Sequence, residues 1–137
     1  EAVEVPVAGG EQDYDLQQWK RIIGVPVVDI VQPDICYIGG LTRALRVAKW
    51  AEKAGLPCVP HSANRSMVTV FTLHMMGAIA NAGPHIEFSI EPTSWVDDLF
   101  VPALEVRDGK VAIPDGPGWG VEISEAWLER SAHEASE

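Results

Sequence analysis

Residues 28–34 read VDIVQPD, residues 38–55 read IGGLTRALRVAKWAEKAG, and residues 56–62 read LPCVPHS. The first is an apolar strand ending in an acid, Asp34. The second is an amphipathic helix. The third is an apolar strand ending in a histidine, His61. Asp34 and His61 therefore close equivalent ends of two successive βα units, and in a parallel sheet those ends lie side by side. A histidine exchanges protons near neutral pH, and a neighbouring carboxylate fixes its tautomer and stabilises the imidazolium.

The same alternation extends in both directions. Upstream, Val3 to Val7 is a short β-rich run closed by Ala8-Gly9-Gly10, with Glu11 at its end. Leu16, Trp19, Ile22 and Ile23 follow at helical spacing, with Asp13 or Asp15 as the cap and Gly24 as the stop. Leu41, Ala44, Leu45, Val47, Ala48, Ala51 and Ala54 form the apolar stripe of the clearest helix, which Gly55 ends. Downstream, Ser66 to Ala80 reads as a more apolar and more deeply buried helix, broken by Asn81-Ala82-Gly83-Pro84. Ile86 to Ile90 alternates as a fourth strand, with Ile86, Phe88 and Ile90 on one face and Glu87, Ser89 and Glu91 on the other. After Pro92 the periodicity fades. Asp108-Gly109 marks a tight hairpin, and Glu125 to Ser131 is a last short helix.

The resulting order, β-α-β-α-β-α-β with short connections, implies right-handed crossovers and a parallel sheet. No GxGxxG follows a strand, so a dinucleotide-binding sheet has little support. Polar residues at the carboxyl ends of four strands in a row (Glu11, Asp34, His61 and Glu87) favour a (β/α) barrel, in which every strand end feeds one site. Each residue alone has a plain structural use: helix-leading carboxylate, turn residue, loop histidine, ion-pair partner. Their joint placement makes coincidence the poorer explanation. Glu11 suits a hard cation such as magnesium, but one carboxylate does not hold it well.

Composition narrows the class. The chain has 137 residues, 47% of them hydrophobic, and a formal net charge of −10. It can bury a core, and it lacks the basic surface that non-specific nucleic-acid binding needs. Cys36 and Cys58 form neither a disulfide framework nor a CxxC site and read as small core residues. Trp19, Trp50, Trp95, Trp119 and Trp127 read as packing residues. No apolar run is long enough for a membrane helix, and the start does not resemble a signal peptide, so no membrane and a cytoplasmic location are expected. The chain opens at Glu1, almost directly into a strand-like segment, which fits a piece of a longer protein.

AGGEQ, VDIVQPD, GGLTRA, the VPHS strand end, EFSIE and the PDGPGWGVEI tail, in this order and spacing, resemble the carboxyl-terminal barrel part of the mandelate racemase/muconate lactonizing enzyme group of the enolase superfamily. The resemblance covers about Val3 to Ile123. It implies an α/β fold: the C-terminal half of a TIM-type (β/α) barrel over residues 1–92, plus an irregular tail over 93–137 that packs on a capping domain. It implies a magnesium-dependent enzyme that abstracts the proton alpha to a carboxylate of a hydroxy or sugar acid, through an enediolate, with dehydration or racemisation to follow. Dehydration is favoured slightly, because a His–Asp dyad with polar loop residues suits a polyhydroxylated acid.

Residue by residue, the resemblance makes His61 the general acid/base and Asp34 its partner. Glu87 is the residue on the enediolate oxygen, with Glu91 as the fallback, and Glu11 is one magnesium ligand. Asn64 and Arg65, directly after His61, are candidate substrate contacts, although Arg65 reads equally as a solvated loop charge. The family's early lysine strand, two earlier metal carboxylates and capping domain have no counterpart in these residues. Lys20, Lys49, Lys53 and Lys110 do not replace the lysine. The expected partners are therefore a first barrel half, the capping domain and, in the complete enzyme, further copies in a homo-oligomer. The competing expectation is a non-catalytic half-barrel module that pairs with itself or with a separate first half.

Overall fold

A ladder of short parallel pairings organises the first part of the molecule. In the computed structural model, which describes residues 4–25 and 27–135, β1 (Ala8–Gly9) pairs with β2 (Ile30–Val31), Ala8 opposite Ile30 and Gly9 opposite Val31. Val31 then bridges Cys58, and Cys58 bridges Ala82, both in parallel. The helices α1 (Leu16–Gly24), α2 (Leu41–Lys53) and α3 (Met67–Ala78) occupy the three crossovers. The passes stand in sequence order with no reversal, as in a barrel wall, whereas a doubly wound sheet reverses at a switch point.

The helices form for local reasons. Asp15 caps α1 by accepting from Gln17 N at 2.6 Å and Gln18 N at 2.9 Å. Those backbone donors hold the Asp15 carboxyl below its usual range, because they favour its ionised form. Trp19 is fully buried, and its indole N–H donates to Asp13 O at 2.7 Å, so no polar atom of the ring is stranded. In α2, Ala44, Val47, Ala48 and Ala51 are buried. Leu45, expected in the same stripe, is exposed; at about 100° per residue it lies roughly 100° from the stripe's centre. Ser66 caps α3, which buries residues on several sides, from Val68 and Thr69 to Leu73 and Met75.

One core joins these elements, with Trp19, Ile22, Val31, Ile35, Ile38, Val47, Cys58 and Met75 among its members. Asn81 ties it off. Its side-chain amide donates to Leu56 O at 2.8 Å and Ala48 O at 3.2 Å, bridging the middle of α2 to the start of the next pass.

Several sequence expectations shift. The first pairing falls on Ala8–Gly9, which the sequence marks as a closing turn; Val7 accepts from Asp29 N and Ile30 N at its carbonyl and donates its N–H to Asp29 Oδ2, and Val3 lies outside the described residues. Leu56 to Pro60 contributes a single bridging residue, Cys58, paired with Val31 on one side and Ala82 on the other. Ile86 to Ile90 forms no strand. The fourth pass is instead made at Ala82, where Cys58 N donates to Asn81 O at 2.8 Å and Gly83 N to Cys58 O at 3.1 Å. Alternation in residues 86–90 is thus not the mark of a ladder, and Ile90, on the apolar face of that alternation, is 95% exposed. Cys36 is exposed rather than buried, because it sits in the turn after Asp34 and not in the strand.

By contact the chain divides into two compact units, Glu1–Ser89 and Ile90–Glu137. In the second, β3 (Phe100–Val101) pairs antiparallel with β6 (Glu122–Ile123). The expected hairpin joins β4 (Val106–Arg107) to β5 (Lys110–Val111). Asp108 and Gly109 both take positive φ, 51° and 72°, as a twisted two-residue hairpin turn requires. Ser124 caps α4 (Glu125–Glu129), and Arg130 closes a two-pronged pair on Asp98 at 2.7 Å per contact. Trp95 and Trp119 are substantially exposed, unlike packing residues. No helix among the described residues is long and apolar enough to cross a membrane.

Candidate active site

At the carboxyl end of this ladder, Asp34 follows β2 and divides its two carboxylate oxygens. Oδ1 accepts from Cys36 N at 2.7 Å and Tyr37 N at 2.8 Å, capping the turn that leads into α2. Oδ2 lies 2.9 Å from His61 Nδ1. Asp34 is 4% exposed, so burial and two backbone donors fix its direction. With an ionised Asp34, His61 carries hydrogen on Nδ1 and turns Nε2 outward.

Nε2 faces two more carboxylates. Glu11 Oε2 stands 3.7 Å away and Glu87 Oε2 3.8 Å away, both beyond hydrogen-bond reach. The imidazole side chain is 13% exposed, against 47% for Glu11 and 42% for Glu87. Glu11, Asp34 and Glu87 thus meet around the His61 imidazole, with Asp34 sealed behind it and two wetter carboxylates in front.

Glu87 is held from two sides. Its Oε2 accepts from Ser62 N at 2.9 Å, and its Oε1 lies 3.4 Å from the Gln32 amide nitrogen. The Tyr37 ring flanks the imidazole, centroids 6.2 Å apart and planes tilted by 32°. Gln32 and Tyr37 were not singled out from the sequence. The available signal was their position, one before Pro33-Asp34 and one within the turn that Asp34 caps.

Asn64 and Arg65 follow His61 into the loop before α3. The Asn64 side-chain oxygen accepts from Ser66 N at 3.1 Å, so half of its amide shapes the loop. Behind them, buried Ser62 and Thr69 share a hydroxyl contact at 3.0 Å, and Thr69 also donates to Asn64 O. Glu91, the fallback for Glu87, belongs to the other unit and is exposed. Cys36 is near the site; partial desolvation, then the Asp34 charge, raises its thiol pKa. Burial pushes the Cys58 thiol up to about 12. Neither cysteine is suited to act as a thiolate.

A magnesium ion needs several oxygen ligands at close to octahedral geometry. Among the described residues no three His, Cys, Asp or Glu side chains are grouped to hold a metal. Glu11 offers one carboxylate, so the described residues do not by themselves fit a magnesium site.

The model of the family described as enolase C-terminal domain-like matches residues 1–127. The chain belongs to this family. Its relatives are acid-sugar dehydratases, cycloisomerases and racemase-like proteins. Arabinonate dehydratase of Saccharolobus solfataricus is 30% identical over 129 residues, covering 94% of this chain and 34% of that protein. A Roseobacter denitrificans protein described as a candidate racemase is 53% identical, with a TM-score of 0.90 over 99% of this chain and 38% of its own. An enolase of Pantoea ananatis, solved with D-gluconate and magnesium, is 25% identical, with a TM-score of 0.81 over 98% of this chain and 32% of its own. The chain thus spans about a third of the length of these relatives, and its fold is the corresponding C-terminal part of their (β/α) barrel.

Proposed function

We propose that this chain supplies the histidine side of the active site of an acid-sugar dehydratase or racemase. The observation that carries this reading is the His61–Asp34 contact of 2.9 Å, with Nε2 turned toward the side where Glu11 and Glu87 stand. A carboxylate that fixes Nδ1–H leaves Nε2 free to take or return a proton. In the proposed reaction Nε2 exchanges the proton alpha to the substrate carboxylate, or protonates a departing β-hydroxyl. Asp34 keeps the tautomer and stabilises the imidazolium. Glu87 meets the enediolate oxygen, and Asn64 and Arg65 meet the polar end of a hydroxy or sugar acid.

Magnesium, when bound in the complete enzyme, would lower the charge on the enediolate. Glu11 is the one ligand proposed from this chain, and the remaining ligands, the opposite base and the capping domain come from outside it. Residues 93–137 are proposed to pack on that capping domain, and the complete enzyme to be a cytoplasmic homo-oligomer.

The test is α-proton exchange in deuterium oxide by the complete protein. His61→Asn should lower exchange from one substrate face by about 10²–10⁴-fold. Exchange from both faces at wild-type rate would remove His61 from this role.

A second reading is a non-catalytic half-barrel module that pairs with itself or a separate first half. A stable dimer that binds neither magnesium nor any acid sugar would decide for it.

A further inference from the structure

Glu87 is placed differently from the other strand-end residues. Asp34 and His61 each stand two residues beyond a backbone bond to a neighbouring pass, from Gln32 N to Gly9 O and from Val59 N to Val31 O. The last backbone bond of the Glu87 pass to its neighbour is at Gly83, and residues 85–90 are in no strand. A ladder therefore does not set the height or direction of the Glu87 side chain. A half-exposed glutamate has several freely turning torsions and prefers water unless something holds it.

Two contacts from the two preceding passes reach it. Ser62 N donates to Oε2 at 2.9 Å from the residue next to His61. From the end of β2, the Gln32 amide approaches Oε1 at 3.4 Å, a long contact. Gln32 is itself anchored, its backbone N donating to Gly9 O at 3.0 Å. One donor on each oxygen restrains the rotation of the carboxylate, which a single donor does not.

The geometry points to Gln32 as a positioning residue for Glu87, which grips Oε1 from the end of β2 while Ser62 N grips Oε2. The inference rests on the site reading above, in which Glu87 meets the reacting substrate. The QPD turn then serves the site twice, with Asp34 on the imidazole and Gln32 on the carboxylate opposite.

The experiment is NMR on the full 137-residue chain, comparing wild type with Gln32→Leu, which removes the donor at similar size, and Gln32→Glu, which replaces it by a like charge. The readouts are Ser62 amide exchange and the Glu87 side-chain carboxyl resonance, with the Val59 amide as an internal control. In both variants Ser62 exchange should quicken roughly tenfold and the Glu87 resonance should shift, while Val59 stays protected. Unchanged Ser62 and Glu87 signals in both variants would overturn the assignment. Equal loss at Val59 and Ser62 would also overturn it, by making Gln32 a general support of the strand. Failure of the proposed reaction registers separately: His61→Asn with undiminished exchange would reject the chemistry and leave the Gln32 result standing.

Discussion

Asp34 is the residue on which the candidate site turns, because each of its oxygens has a separate task. The oxygen that caps the turn makes the carboxylate immobile, and the oxygen that faces His61 passes that rigidity to the imidazole. The cysteines show how burial alone separates two identical side chains. With its thiol pushed up to about 12 and fully buried, Cys58 should resist alkylation at pH 8 in the folded chain. Exposed Cys36 should react, slowly, because its own thiol is also raised. Mass spectrometry after brief iodoacetamide treatment should find one adduct, on Cys36, and a second only after denaturation.

At the scale of elements, the approach of β1 to α1 depends on Gly10. Its φ is +98°, and a Cβ there would meet the buried Trp19 ring at 2.4 Å. Gly10→Ala combines an unfavourable backbone conformation with overpacking and should cost about 2–4 kcal/mol, read as a lowered urea midpoint. The end of α4 carries a pH-dependent contact. The Arg130 guanidinium beside Asp98 holds its carboxyl below the ordinary 3.8. A depressed carboxylate contributes stability that is complete above the unfolded value. That contribution fades as pH falls below about 3.8 through the lowered folded value. The Asp98 carboxyl resonance should therefore titrate below 3.8 in wild type and return toward it in Arg130→Ala. Since the pair is exposed, the effect on global stability should be small.

At the scale of the molecule, one imidazole and its carboxylates make part of the proposed proton-transfer site. The 137 residues alone are expected to give no detectable α-proton exchange across an acid-sugar panel. Supplying a first barrel half with the remaining carboxylates, in trans or by fusion, should produce exchange that a chelator abolishes. Turnover by the isolated chain would show that its own carboxylates suffice. Magnesium-independent exchange in the reconstituted protein would contradict the ligand role proposed for Glu11.

The three crossover helices, the parallel order of the passes and three of the polar strand ends, Glu11, Asp34 and His61, were legible from periodicity and punctuation; the strand expected to carry Glu87 does not form. Helical spacing is a local property, and Asp15, Ser66 and Gly55 mark their ends through short-range hydrogen bonds and backbone freedom. Strand extent was not legible. A ladder needs a partner brought from far along the chain, so Ile86 to Ile90 could alternate without pairing while Ala82 took its place. Nor could the sequence show that Gln32 and Ser62, thirty residues apart, would take hold of the same carboxylate. By itself the sequence determined which residues arrive at the carboxyl ends of the passes. Only the tertiary structure decided their distances and burial, because these depend on how neighbouring passes register against one another.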